Sequence, residues 1–242
     1  LEISRRSIGI ILPILAILFI IYALYGGFMP GPFSHSNISL RRLIEQLYIS
    51  TEGIYGIALG VSAQYIFLFI LFGAFMAKTG MGQLINDSAI AISGKSPGGP
   101  AKVAMIASGG MGTINGAAVA NVATTGAFTI PLMKRIGYKP AFAGSVEAVA
   151  SAGGQIMPPV MGAAAFVLAE LTGINYGIVM LAALGPALLY YFAAWVMVDR
   201  EARRLKMSGL KANEIPSLKE TLTKRGHMLL PFLIVIWLLL DG

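Results

Sequence analysis

The sequence predicts an all-α polytopic membrane protein with one re-entrant helical hairpin and one broken helix. Three observations carry this. Hydrophobic residues make up 56% of the chain and charged residues only 12%, about half the charged share of soluble domains, and mean hydropathy is +0.75. The charge-free stretch between Lys102 and Lys134 is long enough to cross a bilayer, yet its middle holds Gly109, Gly110, Gly112, Thr113, Asn115 and Gly116. Glycine costs about 1 kcal/mol at each helix-interior position. Backbone left unpaired in hydrocarbon costs several times more, so an interruption there must be buried in protein or line a wet cavity. Finally, the apolar segment from Ala141 to Leu171 would reach about 45 Å as a straight helix, against a hydrocarbon core of about 30 Å. Gly153-Gly154 and Pro158-Pro159 break it, because proline removes a donor and disfavours the helical conformation before it.

In chain order, residues 1–30 form a transmembrane helix. Its core, Ile8 to Phe28, is rich in Leu and Ile, carries Tyr22 and Tyr25 as interfacial anchors and is stopped by Pro30-Gly31-Pro32. The run is too long for a signal-peptide core and lacks a small-residue cleavage site. Residues 31–53 form an external loop with a surface amphipathic helix, Ser39 to Tyr48, for which Ser39 is the N-cap. Such a hydroxyl accepts an otherwise unpaired N–H of the first turn. Residues 54–78 are a second span whose Gly56 and Gly60 permit close helix contact. Residues 79–102 form an amphipathic cytoplasmic connector, 103–133 the hairpin and 140–172 the broken helix. A further span covers residues 176–198, a charged cytoplasmic loop 199–226, and the start of a last span 227–242. The chain begins at Leu1 and its last apolar run stops at Asp241-Gly242, so it reads as an internal part of a longer polypeptide.

Charge sets the predicted topology. Lys and Arg total 18, and such residues collect in cytoplasmic loops. If residues 103–133 enter and return, 16 of the 18 lie on one side and only Arg41 and Arg42 on the other. A single crossing instead parts Lys78, Lys95 and Lys102 from Lys134, Arg135 and Lys139. The hairpin therefore opens to the cytoplasm, with its tip near Asn115-Gly116 and arms of about 15 residues, roughly 20 Å each.

A hairpin tip and a helix break at membrane depth expose carbonyls and N–H groups. Carbonyl, Ser, Thr and Asn oxygens suit a small hard cation, and half-helix N-termini suit a carboxylate. At the tip the candidates are Thr113, Asn115 and Gly116, with Asn121, Thr124 and Thr125 on the second arm. At the break they are Ser151, Gly153, Gly154 and Gln155, followed by Pro158. Glu147 is the one acid well inside a span. Two roles fit it: a ligand for a proton or coupling cation, or a carboxylate paired with a basic residue near the cytoplasmic end.

Enzyme readings find little support. Gly110-x-Gly112-x-x-x-Gly116 misses the dinucleotide spacing, and there is no HExxH or GxSxG. With no cysteine, and with His35 and His227 far apart, no resident metal or other cofactor is expected. The net charge of +7 does not mark a nucleic-acid protein, because the loop with eight bases has no aromatics and four acids. A membrane-embedded enzyme, a scaffold and a channel remain as rivals to a carrier.

The run Gly112-Thr-Ile-Asn-Gly-Ala-Ala-Val-Ala-Asn-Val-Ala-Thr-Thr-Gly126, followed by Phe128-Thr-Ile-Pro-Leu-Met-Lys-Arg-Ile-Gly-Tyr138, resembles the large membrane (permease) subunit of TRAP transporters. These are the tripartite, ATP-independent periplasmic carriers of bacteria and archaea. Glu147-Ala-Val-Ala-Ser-Ala-Gly-Gly-Gln-Ile-Met-Pro-Pro-Val-Met-Gly-Ala-Ala-Ala-Phe166 is similar to the branch that uses TAXI-type binding proteins, often with both membrane subunits fused.

The resemblance implies one half of an elevator-type, inverted-repeat secondary transporter in the inner (cytoplasmic) membrane. It implies sodium-coupled uptake of an organic acid, with Na+ as coupling ion. A periplasmic TAXI-type solute-binding protein and a small membrane subunit, separate or fused, are the implied partners. On this reading Thr113, Asn115, Gly116, Ser151, Gly153 and Gly154 face the ion. Asn115, Asn121, Thr124, Thr125, Gln155 and Pro158 face the substrate, and Glu147 is a candidate coupling acid. The family usually has Ser-Gly-Ser at the hairpin tip, where this chain has Asn115-Gly116-Ala117.

Overall fold

The computed structural model describes residues 1–241, the side chains of Ile8 and Asp241 excepted. The chain divides into a unit ending at Gly60 and a larger one starting at Val61.

In the first unit, α1 (Glu2–Ile8) precedes the apolar α2 (Ile11–Tyr25). The following loop folds back on the end of α2. The Tyr22 hydroxyl donates to the Phe33 carbonyl at 2.7 Å, and the Gly27 N–H donates to Asn37 Oδ1 at 2.8 Å. Ser39 caps α3 (Leu40–Ile44) as expected, its hydroxyl accepting from the Arg42 N–H at 3.3 Å, and a π-helical turn (Glu45–Ile49) extends it. The helix α4 (Ile57–Val61) carries the chain over the boundary, and in the second unit it passes through a π-helical turn (Ser62–Ile66) into α5 (Phe67–Thr79).

In the second unit the chain turns at Gly80 into α6 (Met81–Ser93). The hairpin follows as α7 (Gly99–Asn115) and α8 (Ala118–Arg135). The broken helix is α9 (Pro140–Gly153) and α10 (Ala163–Thr172). Then come α11 (Tyr176–Arg204), α12 (Leu218–Arg225) and α13 (Leu229–Asp241).

The centre of this unit is α7, buried from Gly99 through Met105 and at most positions beyond. Ala101, Ala104 and Met105 pack on Met133, Ala143, Val146 and Ala150 on one side, and Val103 and Ala107 pack on Ala89 and Ile90 on another. Ile114, near the tip, meets Met76, Met81 and Leu84. Small side chains let neighbouring backbones approach, which is how helices associate without a water-driven term between them.

Three sequence expectations change. The glycines at 109, 110 and 112 do not interrupt the helix: α7 is continuous to Asn115, and the break is confined to Gly116 and Ala117. Their backbone groups stay paired within the helix, and close packing offsets their propensity cost. The arms of 17 and 18 residues exceed the expected 15 because the hairpin starts at Gly99 and ends at Arg135. The charged stretch from Asp199 is not a loop at its start, since α11 runs on to Arg204. Lys102 explains part of this. It is a buried base inside α7, its ammonium 2.5 Å from Asp199 and 5.4 Å from the centre of the Trp195 ring. Asp199 also takes Arg203 at 2.7 Å, one turn further along α11.

Candidate functional site

The hairpin tip lies against the helix break. Gly116 closes α7 with its N–H on the Gly112 carbonyl at 3.0 Å and adopts φ 60°, a left-handed conformation in which a side chain is strained. Its Cα also sits where an added Cβ would be 1.9 Å from the Met161 carbonyl oxygen, so only glycine fits. The Val160 N–H donates to the Thr113 carbonyl at 3.3 Å, and the Gly162 N–H closes the break on Gln155 at 2.7 Å. One turn below the tip the backbones of α7 and α9 touch: a Cβ on Gly112 would fall 2.3 Å from the Gly154 Cα.

Tyrosines from α11 finish the end of α9. The Tyr190 hydroxyl donates to the Val149 carbonyl at 2.8 Å and the Tyr191 hydroxyl to Ala150 at 2.6 Å. The Tyr176 hydroxyl shares its proton between the carbonyls of Pro159 and Val160, at 2.8 and 2.7 Å. Ala150 is among the carbonyls that the end of α9 leaves without internal partners, and Pro159 and Val160 lie in the non-helical link between α9 and α10.

Beneath the tip lies a closed polar cluster around Glu147, whose side chain is fully buried. Ser108 from α7 donates to Glu147 Oε1 at 2.6 Å, Thr125 from α8 at 2.5 Å and Ser151 from α9 at 3.0 Å. Thr129 donates to Oε2. One carboxyl thus joins both hairpin arms to the first half of the broken helix. Among the described residues no Lys or Arg bonds to it, and the nearby base, Lys102, is held by Asp199. The basic partner expected as one of two roles for Glu147 is replaced by four hydroxyls.

The sequence-predicted residues separate into three places. Thr113, Asn115, Gly116 and Gly154 lie where tip meets break, and Pro158 lies in the link that follows α9. The Thr113 hydroxyl donates to its own helix, at the Gly110 carbonyl 2.6 Å away, and Asn115 Oδ1 accepts from the Ala117 N–H at 3.3 Å. Asn121, Thr125 and Ser151 turn inward to the buried cluster, and Gly153 packs on Tyr190 and Tyr191. Thr124 and Gln155 lie on the exposed side, the Thr124 hydroxyl bonded back to the Ala120 and Asn121 carbonyls.

Ser108, Thr129, Tyr176, Tyr190 and Tyr191 escaped the sequence reading. Thr125 and Thr129 are spaced by four, as are Glu147 and Ser151, so each pair shares a helix face, and that spacing was a usable signal. Ser108 and the tyrosines join only through tertiary contacts, for which the sequence offers no register.

Apolar helices with a turned-back helix pair whose tip sits against a broken helix are an arrangement that membrane transporters use. Four described helical stretches, Ile11–Phe28, Ile57–Thr79, Tyr176–Arg204 and Ala212–Leu240, are long and apolar enough to cross a bilayer. Residues 1–242 match the family described as "Tripartite ATP-independent periplasmic transporter, DctM component", and the chain belongs to that family. It is 30% identical over 171 residues to a C4-dicarboxylate TRAP transporter large permease protein from Pseudomonas aeruginosa, covering 71% of this chain and 39% of that protein. It is 24% identical over 219 residues to the uncharacterized protein y4mL of Sinorhizobium fredii, covering 89% of this chain and 48% of the relative. A 91-residue stretch is 33% identical to the uncharacterized protein YgiK of Salmonella typhimurium, covering 38% of this chain and 21% of the relative. The chain thus aligns with less than half the length of each of these relatives.

Proposed function

We propose that this chain is the permease part of a carrier that takes up an organic acid on a sodium gradient. A periplasmic TAXI-type binding protein delivers the acid, a small membrane subunit completes the assembly, and the site moves by an elevator-like displacement in a bacterial or archaeal cytoplasmic membrane. One observation carries the reading: four helix ends meet at one place. Helices α7 and α9 end there, at Asn115 and Gly153, while α8 and α10 begin there, at Ala118 and Ala163. Helix C-termini carry partial negative charge and favour a cation, whereas N-termini favour an anion. The site therefore has a cation side, with Thr113, Asn115, Gly116, Ser151, Gly153 and Gly154, and a carboxylate side. The Pseudomonas relative is named for C4-dicarboxylates, which supports an organic acid as the solute. On the carboxylate side, Asn115, Asn121, Thr124, Thr125, Gln155 and Pro158 line or support the substrate surface.

The test is uptake by the complete transporter in proteoliposomes with its binding protein. Imposing a sodium gradient should drive accumulation, and replacing sodium by choline should abolish it. A second reading, proton coupling through Glu147, draws on the full burial of that carboxyl. Accumulation driven by a proton gradient alone would select it. The topology has its own check: a cysteine placed at Lys134 should react only from the cytoplasmic side, and labelling from outside would refute the hairpin.

A further inference from the structure

We infer that the Asn121 side-chain oxygen is a ligand of the coupling cation and that Glu147 is the positioning residue that holds it in place. This rests on the sodium-coupled reading above but moves Asn121 from the substrate surface to the ion side and gives it a support there.

Asn121 is fully buried, and its amide group donates to the Ser108 carbonyl at 2.7 Å. Turning the amide over would set two oxygens face to face, so that bond fixes its direction. The other end, Oδ1, then has no hydrogen-bond donor among the described residues. A buried acceptor left unpaired keeps its full desolvation penalty, and an amide oxygen is a hard donor of the kind that binds alkali and alkaline-earth ions.

The amide abuts the helix break, its nitrogen 3.2 Å from where a Cβ on Gly154 would lie. At the end of α9 the carbonyls of Ser151, Ala152 and Gly153 each accept one N–H and keep a second lone pair. They sit at the partially negative end of that helix, which favours a positive charge.

Glu147 grips the residues that set the amide. Its carboxyl takes the Ser108 hydroxyl, and the Ser108 carbonyl takes the Asn121 amide. It also takes Thr125, whose hydroxyl lies 2.8 Å from the Asn121 carbonyl one turn earlier on α8. Asn121 is thus clamped from both ends of one hydrogen-bonded chain.

The experiment is a thermal-shift titration of the complete transporter in detergent, with sodium chloride replacing choline chloride at constant ionic strength. Wild-type protein should be stabilised by sodium, since a ligand that binds only the folded state raises the unfolding temperature. In Asn121→Ala the half-saturating sodium concentration should rise about tenfold or more, the change expected for losing one good ligand. In Glu147→Gln and Thr125→Val it should rise about tenfold, as removal of an outer partner does at other ion sites. Excess sodium should restore the uptake rate of Glu147→Gln with the substrate KM unchanged, which a merely structural defect would not allow. Ser145→Ala, on α9 but bonded only to Phe142, should match wild type. Should Asn121→Ala not fold, Thr125→Val and Glu147→Gln decide. Variants that melt normally in choline and keep the wild-type sodium dependence overturn the inference and leave the sodium reading standing. Wild-type protein indifferent to sodium in both titration and uptake overturns both.

Discussion

The core formed by α7, α8 and α9 and the long helix α11 obey opposite rules. Inside the core, Ser108, Asn121, Thr125, Thr129, Glu147 and Ser151 are buried and hydrogen-bonded to one another or to backbone, with Asn121 Oδ1 the exception. On α11, Leu181, Leu188, Leu189 and Phe192 are exposed. In water such an arrangement would be unstable. In a bilayer it is expected, because the surrounding solvent is hydrocarbon and polar groups must find partners within the protein. The contrast shows where sequence changes should matter. Core positions are constrained by sterics and hydrogen bonding, outward positions by little beyond apolarity.

The largest effect should come from filling the backbone contact between α7 and α9. Gly112→Ala or Gly154→Ala places a Cβ within 2.7 Å of the opposing Cα. Neither backbone can yield without separating hairpin from break, so a loss of about 3 kcal/mol or more is expected, at the upper end of overpacking. Thermal unfolding in detergent should show it, and a wild-type melting temperature would break the account of the contact. Next comes Lys102→Ala, which opens a gap in the buried face of α7 and leaves Asp199 with Arg203 as its one remaining basic partner among the described residues. The Lys102 side chain is 4% exposed and that of Asp199 21%, so the loss should be about 2–3 kcal/mol, below the figure for a fully buried pair. Adding Asp199→Ala should recover part of it, and simple additivity in that double-mutant cycle would show the pair to be uncoupled. Tyr191→Phe removes one hydroxyl from the Ala150 carbonyl and should cost about 1 kcal/mol. The smallest effect belongs to the outward face: Leu189→Ala should change stability by about 0.5 kcal/mol or less. A large effect there would mean that Leu189, 69% exposed here, is covered by protein in the complete transporter, and would sharpen the contrast into a map of its interfaces.

Part of the molecule was legible as sequence. The spans, the hairpin turn at Asn115-Gly116, the break between Gly153 and Pro159 and the Ser39 cap follow from local rules, because hydrophobic length, proline geometry and capping are read over a few residues at a time. Local rules misled most at the glycines at 109, 110 and 112, which looked like a rupture but serve as a packing surface, since only neighbours in space decide whether a small residue weakens a helix or lets another approach it.

Tertiary structure alone decided the partners. That Glu147 meets Ser108, Thr125, Thr129 and Ser151, that Lys102 meets Asp199 across 97 positions of sequence, and that Gly112 touches Gly154 depend on how helices rotate and cross. Those angles are fixed by the packing of many side chains together. The residues alone therefore settled that the chain folds into membrane helices with a turn-back and a break. Which oxygens face one another inside was settled only when those helices came together.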